Sequence, residues 1–182
     1  MKALKALFLN ELATRFDSEL QQVGRMAGIA IATTCPHLRQ LFHAHHVETV
    51  GHVEKLGLVF NAIGEEARGT VCEITAKLLH ACEQTATEQH NSPGLNAALI
   101  ACAQKIEHLE IASYGCLRDW AVLLGNTEAS SLLEALLDQE KAASLALSEL
   151  ARSRCNQEAM AKIERSFTTS DRFGHEIVKY AA

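Results

Sequence analysis

The feature that most limits what this chain can fold into is a glutamate recurring midway along each of four long apolar stripes. At about 100° per residue, residues 95–124 place Leu95, Leu99, Cys102, Ile106, Ser113, Leu117, Trp120 and Leu124 on one face. Glu110 falls near the middle of that face and Glu107 at its edge. Residues 3–33 repeat the pattern with Leu4, Phe8, Leu12, Phe16, Leu20, Val23, Met26, Ala27 and Ala30, and with Glu19 near the centre. Residues 36–64 carry Leu38, Leu41, His45, Thr49, His52, Leu56, Val59 and Ile63, with Glu48 to one side between the two histidines. In residues 128–154, Leu132, Leu133, Leu136, Leu137, Ala143, Leu147, Leu150 and Ala151 surround Glu140. A carboxylate among apolar side chains is costly unless it is paired or bound to a metal.

Punctuation separates the four segments. Pro36 disfavours helix at the residue before it and suits the first turn of a new one. Gly64 is placed to end the second helix, and Gly125-Asn126 the third. Thr127 is the expected cap of the last long helix, with Ser130 and Ser131 as alternatives. Residues 65–94 hold Gly69, Asn91, Ser92, Pro93 and Gly94 around one shorter helix marked by Val71, Ile74, Leu78, Leu79 and Cys82. That is too long for a connection between neighbours in an up-and-down bundle, and it fits a crossover from one end to the other. Residues after about 155 lose the period. The expectation is all-α: a four-helix bundle over 1–155, and a C-terminal extension over 156–182 packed on it.

Composition excludes several classes. A net charge of −5, with no block of Lys or Arg, argues against nucleic acid. The apolar run at the N-terminus is broken by Asn10, Glu11 and Arg15, and no run nears the roughly 18 apolar residues of a membrane span. A soluble, cytoplasmic chain is expected. Its six cysteines form no Cys-x-x-Cys pair and read as small buried hydrophobes. Leu7, Phe42, Phe60 and Leu145 are apolar residues left over, which suggests a homodimer or small oligomer.

The helix midpoints fall near residues 18, 50, 110 and 141, so Glu19, Glu48, Glu107 or Glu110, and Glu140 would meet at one level of the bundle. Carboxylates gathered in an apolar core repel and protonate unless cations hold them. Oxygen ligands with one or two imidazoles suit iron or manganese; zinc also fits, and calcium lacks its oxygen-rich loop. His45 and His52 are two turns apart, which places them on different ions, and either can pair with Glu48. His43 and His46 point elsewhere, toward solvent. The plainer account of any one of these groups is a satisfied core histidine or a salt-bridged glutamate.

The residues Ala3 to Leu12, His45-His-Val-Glu-Thr49 with Lys55-Leu56, Ala103 to Gly115 and Gln139-Glu-Lys-Ala-Ala143 resemble the YciE/YciF-type ferritin-like family, bacterial proteins linked to stress responses. The resemblance covers about residues 3–152. It implies a ferritin-like bundle with a crossover between helices two and three, often dimeric. The wider ferritin-like pattern has a Glu on helices one and three and Glu-x-x-His on helices two and four. Glu19, Glu48, Glu110 (with Glu107 beside it) and Glu140 match its acids. Positions 51 and 143 are Gly and Ala, so His45 or His52 must supply any nitrogen, and the fourth helix has none.

Two functions follow. One is a di-iron or di-manganese carboxylate protein that oxidises its metal with oxygen or peroxide. The other is a non-catalytic structural or interaction protein whose metal site is a relic. Nothing specifies the cage of an iron store.

Overall fold

The structure, a computed structural model, describes residues 2–160. Among them are five α-helices and no strand: α1 (Lys2–Ala32), α2 (Pro36–Ala62), α3 (Glu73–Glu88), α4 (Leu95–Leu123) and α5 (Thr127–Leu150). The four long helices lie within a few residues of the expected spans, except that α5 runs on. It passes through a π-helical turn at Ala151–Cys155 and continues as helix to 160. The expected packing of a tail concerns mainly residues 161–182, outside the described residues.

Two hairpins make the bundle. α1 and α2 are joined by three residues, with Cys35 extended (φ −88°, ψ 116°) as a residue before proline should be. The start of α4 holds that joint: Asn96 Oδ1 accepts from the Thr33 hydroxyl at 2.6 Å and from the Thr34 amide at 3.1 Å. α4 and α5 are joined through Gly125, whose φ of +76° is the left-handed conformation that glycine tolerates best. α1 packs on α2, α2 on α5, α5 on α4 and α4 on α1, closing a ring. The connection after α2 carries α3 along the outside of α1 and α4. Thr70 donates to the Ala13 carbonyl, the Cys72 amide to Asp17, and Arg25 pairs with both oxygens of Glu83, so the crossover is tied down along its length.

The core is divided. One apolar cluster, with Leu38, Phe42, Leu79, Leu95, Leu99 and Leu147, fills one end. A second, with Phe8, Leu12, Leu56, Phe60, Leu117 and Leu133, fills the other. Each fully buried leucine or phenylalanine is worth roughly 1.5–3 kcal/mol. Phe42 and Phe60 belong to these clusters and are not left over; Leu7 and Leu145 are exposed. In α1 the buried face is rotated from the expected one. Leu20 is 46 % exposed and Ala27 is also outside, while Arg15, Ser18 and Gln22 are buried. The cause is tertiary: α3 covers a side of α1 that a simple bundle would leave wet, and Thr75 of α3 bonds Ser18 and Arg15. Of the six cysteines, Cys116 is exposed and the other five are buried; none is in a disulfide.

The cap of α5 is Asn126, not Thr127. Its side chain accepts from the Ala129 amide at 2.9 Å and donates to the Ala62 carbonyl at 2.8 Å, closing the end of α2 as well. Asn126→Ala should therefore cost about 1–2 kcal/mol by chemical denaturation, and Thr127→Ala less than about 0.5 kcal/mol. Equal effects would show that the cap is not where the structure puts it.

Candidate metal centre

Between the two apolar clusters lies a polar layer. Glu19 of α1, His45 and His52 of α2, Glu107 and Glu110 of α4 and Glu140 of α5 are all buried, none more than 7 % exposed. Their nitrogen and oxygen atoms that could hold an ion form two groups, each within a 4.8 Å span: Glu19, His52 and Glu140 in one, and His45, Glu107, Glu110 and Glu140 in the other. Glu140 is common to both. The two imidazoles fall in different groups, with ring centroids 6.4 Å apart. Glu107 and Glu110 are both inward, so the choice between them does not arise. Glu48 stands apart. Its side chain is 44 % exposed and reaches only the His45 Nδ1, at 3.7 Å, from the rim.

The contacts inside the layer are close but poorly matched. His52 Nδ1 lies 2.9 Å from Glu140 and 3.6 Å from Glu19, and His45 Nε2 lies 3.4 Å from Glu107. Nine buried nitrogen and oxygen atoms of these six residues have no aligned hydrogen-bond partner. Buried polar atoms without partners are rare and expensive. A cation on the same atoms would satisfy them together, so the residues present fit a metal ion. The donor set, four carboxylates and two imidazoles, suits iron, manganese or zinc.

Burial pushes the carboxyls up, and the neighbours decide the outcome. Glu110 is raised well above the carboxylate range by burial and then by Glu19 and Glu140. Burial and nearby acids hold Glu107 at about 8, against the pull of His45. For Glu19, hydrogen bonding to His52 and Glu110 overcomes burial and brings it to about 2. Burial would lower both imidazoles, yet Glu48 and Glu107 raise His45, and Glu140 and Glu19 raise His52, each to about 9. Without metal, then, protons do part of a cation's work in this layer.

A second ring holds the first. Tyr114 donates to Glu19 at 2.6 Å, and the Gln22 side-chain amide donates to Glu110. Arg15, 1 % exposed, donates to Thr75 at 3.2 Å, and the charges of Glu110 and Glu19 help keep it a cation against its burial. Sequence periodicity alone missed these three. Tyr114 and Gln22 are each one turn from a site acid, at four and three residues' spacing, which is the signal that could have found them. Outside the layer, His43 is exposed as expected, but His46 is half-buried with an unpartnered Nδ1.

Comparison with known proteins gives relatives over most of the chain. The family described as a domain of unknown function, DUF892, matches residues 3–160. Protein YciF of Escherichia coli (strain K12) is 34 % identical over 163 residues, covering 89 % of this chain and 98 % of that protein. The crystal structure of the E. coli stress protein YciF superposes with a TM-score of 0.81 over 86 % of this chain and 99 % of that one, at 34 % identity. YcfI of Rhodopseudomonas palustris, provisionally described as a structural protein, gives 0.73 at 31 % identity, over 80 % and 92 %. No described helix is long and apolar enough to cross a membrane.

The shifts fix a sign for the protein without metal. His45 and His52, raised to about 9, stabilise the fold fully below pH 6.5 and lose that contribution as pH rises to 9. Glu107, raised to about 8, costs progressively more to keep protonated over the range from 4.5 to 8. Both act the same way, so the melting temperature of chelator-treated protein should fall between pH 6.5 and 9, by on the order of 10 °C. A flat or rising profile in a calorimetric scan would contradict the charge state described here.

Proposed function

Because this chain belongs to the DUF892 family, which takes in most of its length, and is related to an E. coli stress protein, we propose that it is a metal-binding stress-response protein with a two-metal carboxylate centre. The observation that carries this reading is the convergence of nine unpartnered buried donor atoms in two groups sharing Glu140. Glu19 and His52 would hold one ion, His45, Glu107 and Glu110 the other, and Glu140 both. Iron or manganese, when bound, supplies one-electron redox chemistry toward oxygen or peroxide.

The protein's own part is orientation and charge. Tyr114 fixes Glu19 and Gln22 fixes Glu110, so the carboxylates meet an incoming ion already aimed. Arg15 offsets one of the four negative charges from outside the ligand set. The apolar clusters above and below exclude water from the two ends of the layer, which strengthens the interactions buried between them. Glu48, half-exposed and 3.7 Å from His45 Nδ1, favours a proton on that nitrogen, which would leave Nε2, the nitrogen facing Glu107, free to hold an ion. Ligands from both hairpins are needed for either ion.

A second reading is a non-catalytic structural protein. It draws on the description of the R. palustris relative and on the absence of an imidazole at position 143. Metal content decides between them: near-stoichiometric iron or manganese after purification favours the first, and none after growth in supplemented medium favours the second.

Glu110→Gln tests the ligand assignment directly. It keeps the shape and the acceptor for Gln22 while removing a charge, so affinity for Fe(II) or Mn(II) should fall at least about tenfold. The stripped variant should melt no lower than the stripped wild type, since Glu110 in the metal-free fold is already held toward its neutral form. Equal destabilisation with and without metal would overturn the assignment and leave a structural, partnered glutamate.

A further inference from the structure

The polar layer is not sealed on every side. Between α2 and α5 a cleft of about 220 Å³ leads inward to His45 and Glu107. Its walls are Leu41, Phe42 and Ala44 from α2 and Ala142, Ala143 and Ala146 from α5, with Glu48 and Gln139 as further polar residues. Three alanines on one face of α5 make the opening. Ala143 is the important one: it follows Glu140 by three residues, where the Glu-x-x-His pattern would put an imidazole into this space. With alanine at this position the fourth helix offers no imidazole and leaves space beside the centre.

We propose that this cleft binds a small neutral molecule with an apolar body and one hydroxyl head, of the phenol or alcohol class. The body is set by the walls, which are mainly apolar. A charged group entering them would lose its hydration with few partners to replace it. An anion would also meet the Glu48 carboxylate, which already lies beside the His45 ring at the rim. The head is set by the inner end, where His45, 7 % exposed, has both ring nitrogens unpartnered and Glu107 Oε2 has no partner. A hydroxyl both donates and accepts, so it answers an acid and an imidazole together. The volume is below the roughly 300–1,000 Å³ of drug-sized sites, which suits a single ring or a short chain. The proposal rests on the metal-centre reading only for what the hydroxyl meets: the metal in the loaded protein, the His45 ring and Glu107 in the stripped one.

Phenol is the probe, followed by titration calorimetry on stripped protein and by the visible bands of Co(II)-loaded protein. Wild type should bind phenol saturably in the millimolar range and benzoate at least tenfold more weakly. Ala146→Phe and, separately, Ala143→Leu fill the cleft without adding a ligand. Each should weaken phenol binding at least tenfold while Co(II) content stays that of wild type. Ala143→His should do the same to phenol and raise Co(II) affinity. Absence of saturable phenol binding to wild type, benzoate binding as tightly as phenol, or unchanged phenol binding in a folded cleft-filling variant would each overturn the proposal. The Co(II) bands without phenol judge the metal centre separately, so failure of the cleft and failure of the centre give different results.

Discussion

The Nδ1 of His52 lies 2.9 Å from Glu140 of the neighbouring α5 and 3.6 Å from Glu19 of α1. This contact links α2 to α5 and α1 at a depth where neither partner is exposed. Burying one such ion pair seldom adds stability, because desolvation roughly cancels the attraction. Burying one partner alone would be worse by several kcal/mol. The layer can exist only if all of it does. The two apolar clusters supply the stability, and the polar layer between them uses some of it for a defined arrangement of charge.

That arrangement extends beyond the six inner residues. Tyr114 and Gln22 give two of the acids a fixed partner, and Arg15 supplies a nearby positive charge. Arg15 is itself held by Thr75 of α3, and Ser18 bonds the same threonine at 2.7 Å. The crossover helix is therefore more than a tether between hairpins. It completes the environment of α1 on the side where α1 would otherwise expose a buried cation to water.

Much of this was legible in the sequence. The four helices, their ends at Gly64 and Gly125, the crossover and the depth of Glu19, Glu110 and Glu140 follow from a 3.6-residue period and from glycine and proline chemistry. The buried side of α1 did not follow, because periodicity assumes that polar residues face water. Arg15, Ser18 and Gln22 break that assumption by finding partners on α3 and α4, separated from them by 57 to 88 residues. Glu107 looked like an edge residue and is 2 % exposed, since α2 brings His45 over it. Glu48 looked inward-leaning from its spacing to two histidines and sits on the rim. Asn126 took the cap from Thr127 because it also reaches the Ala62 carbonyl, a contact that exists only once both hairpins are in place.

Each donor group takes residues from both hairpins: Glu19 and His52 with Glu140, and His45 with Glu107, Glu110 and Glu140. Neither hairpin alone holds a complete group. On the proposed metal-centre reading, an ion would have nothing to template until the two halves dock, and docking is a late event for contacts so far apart in sequence. Its grip would be felt on the way out and not on the way in. Loading should leave the rate of folding almost untouched and slow unfolding, turning the centre into a latch on the lifetime of the native state.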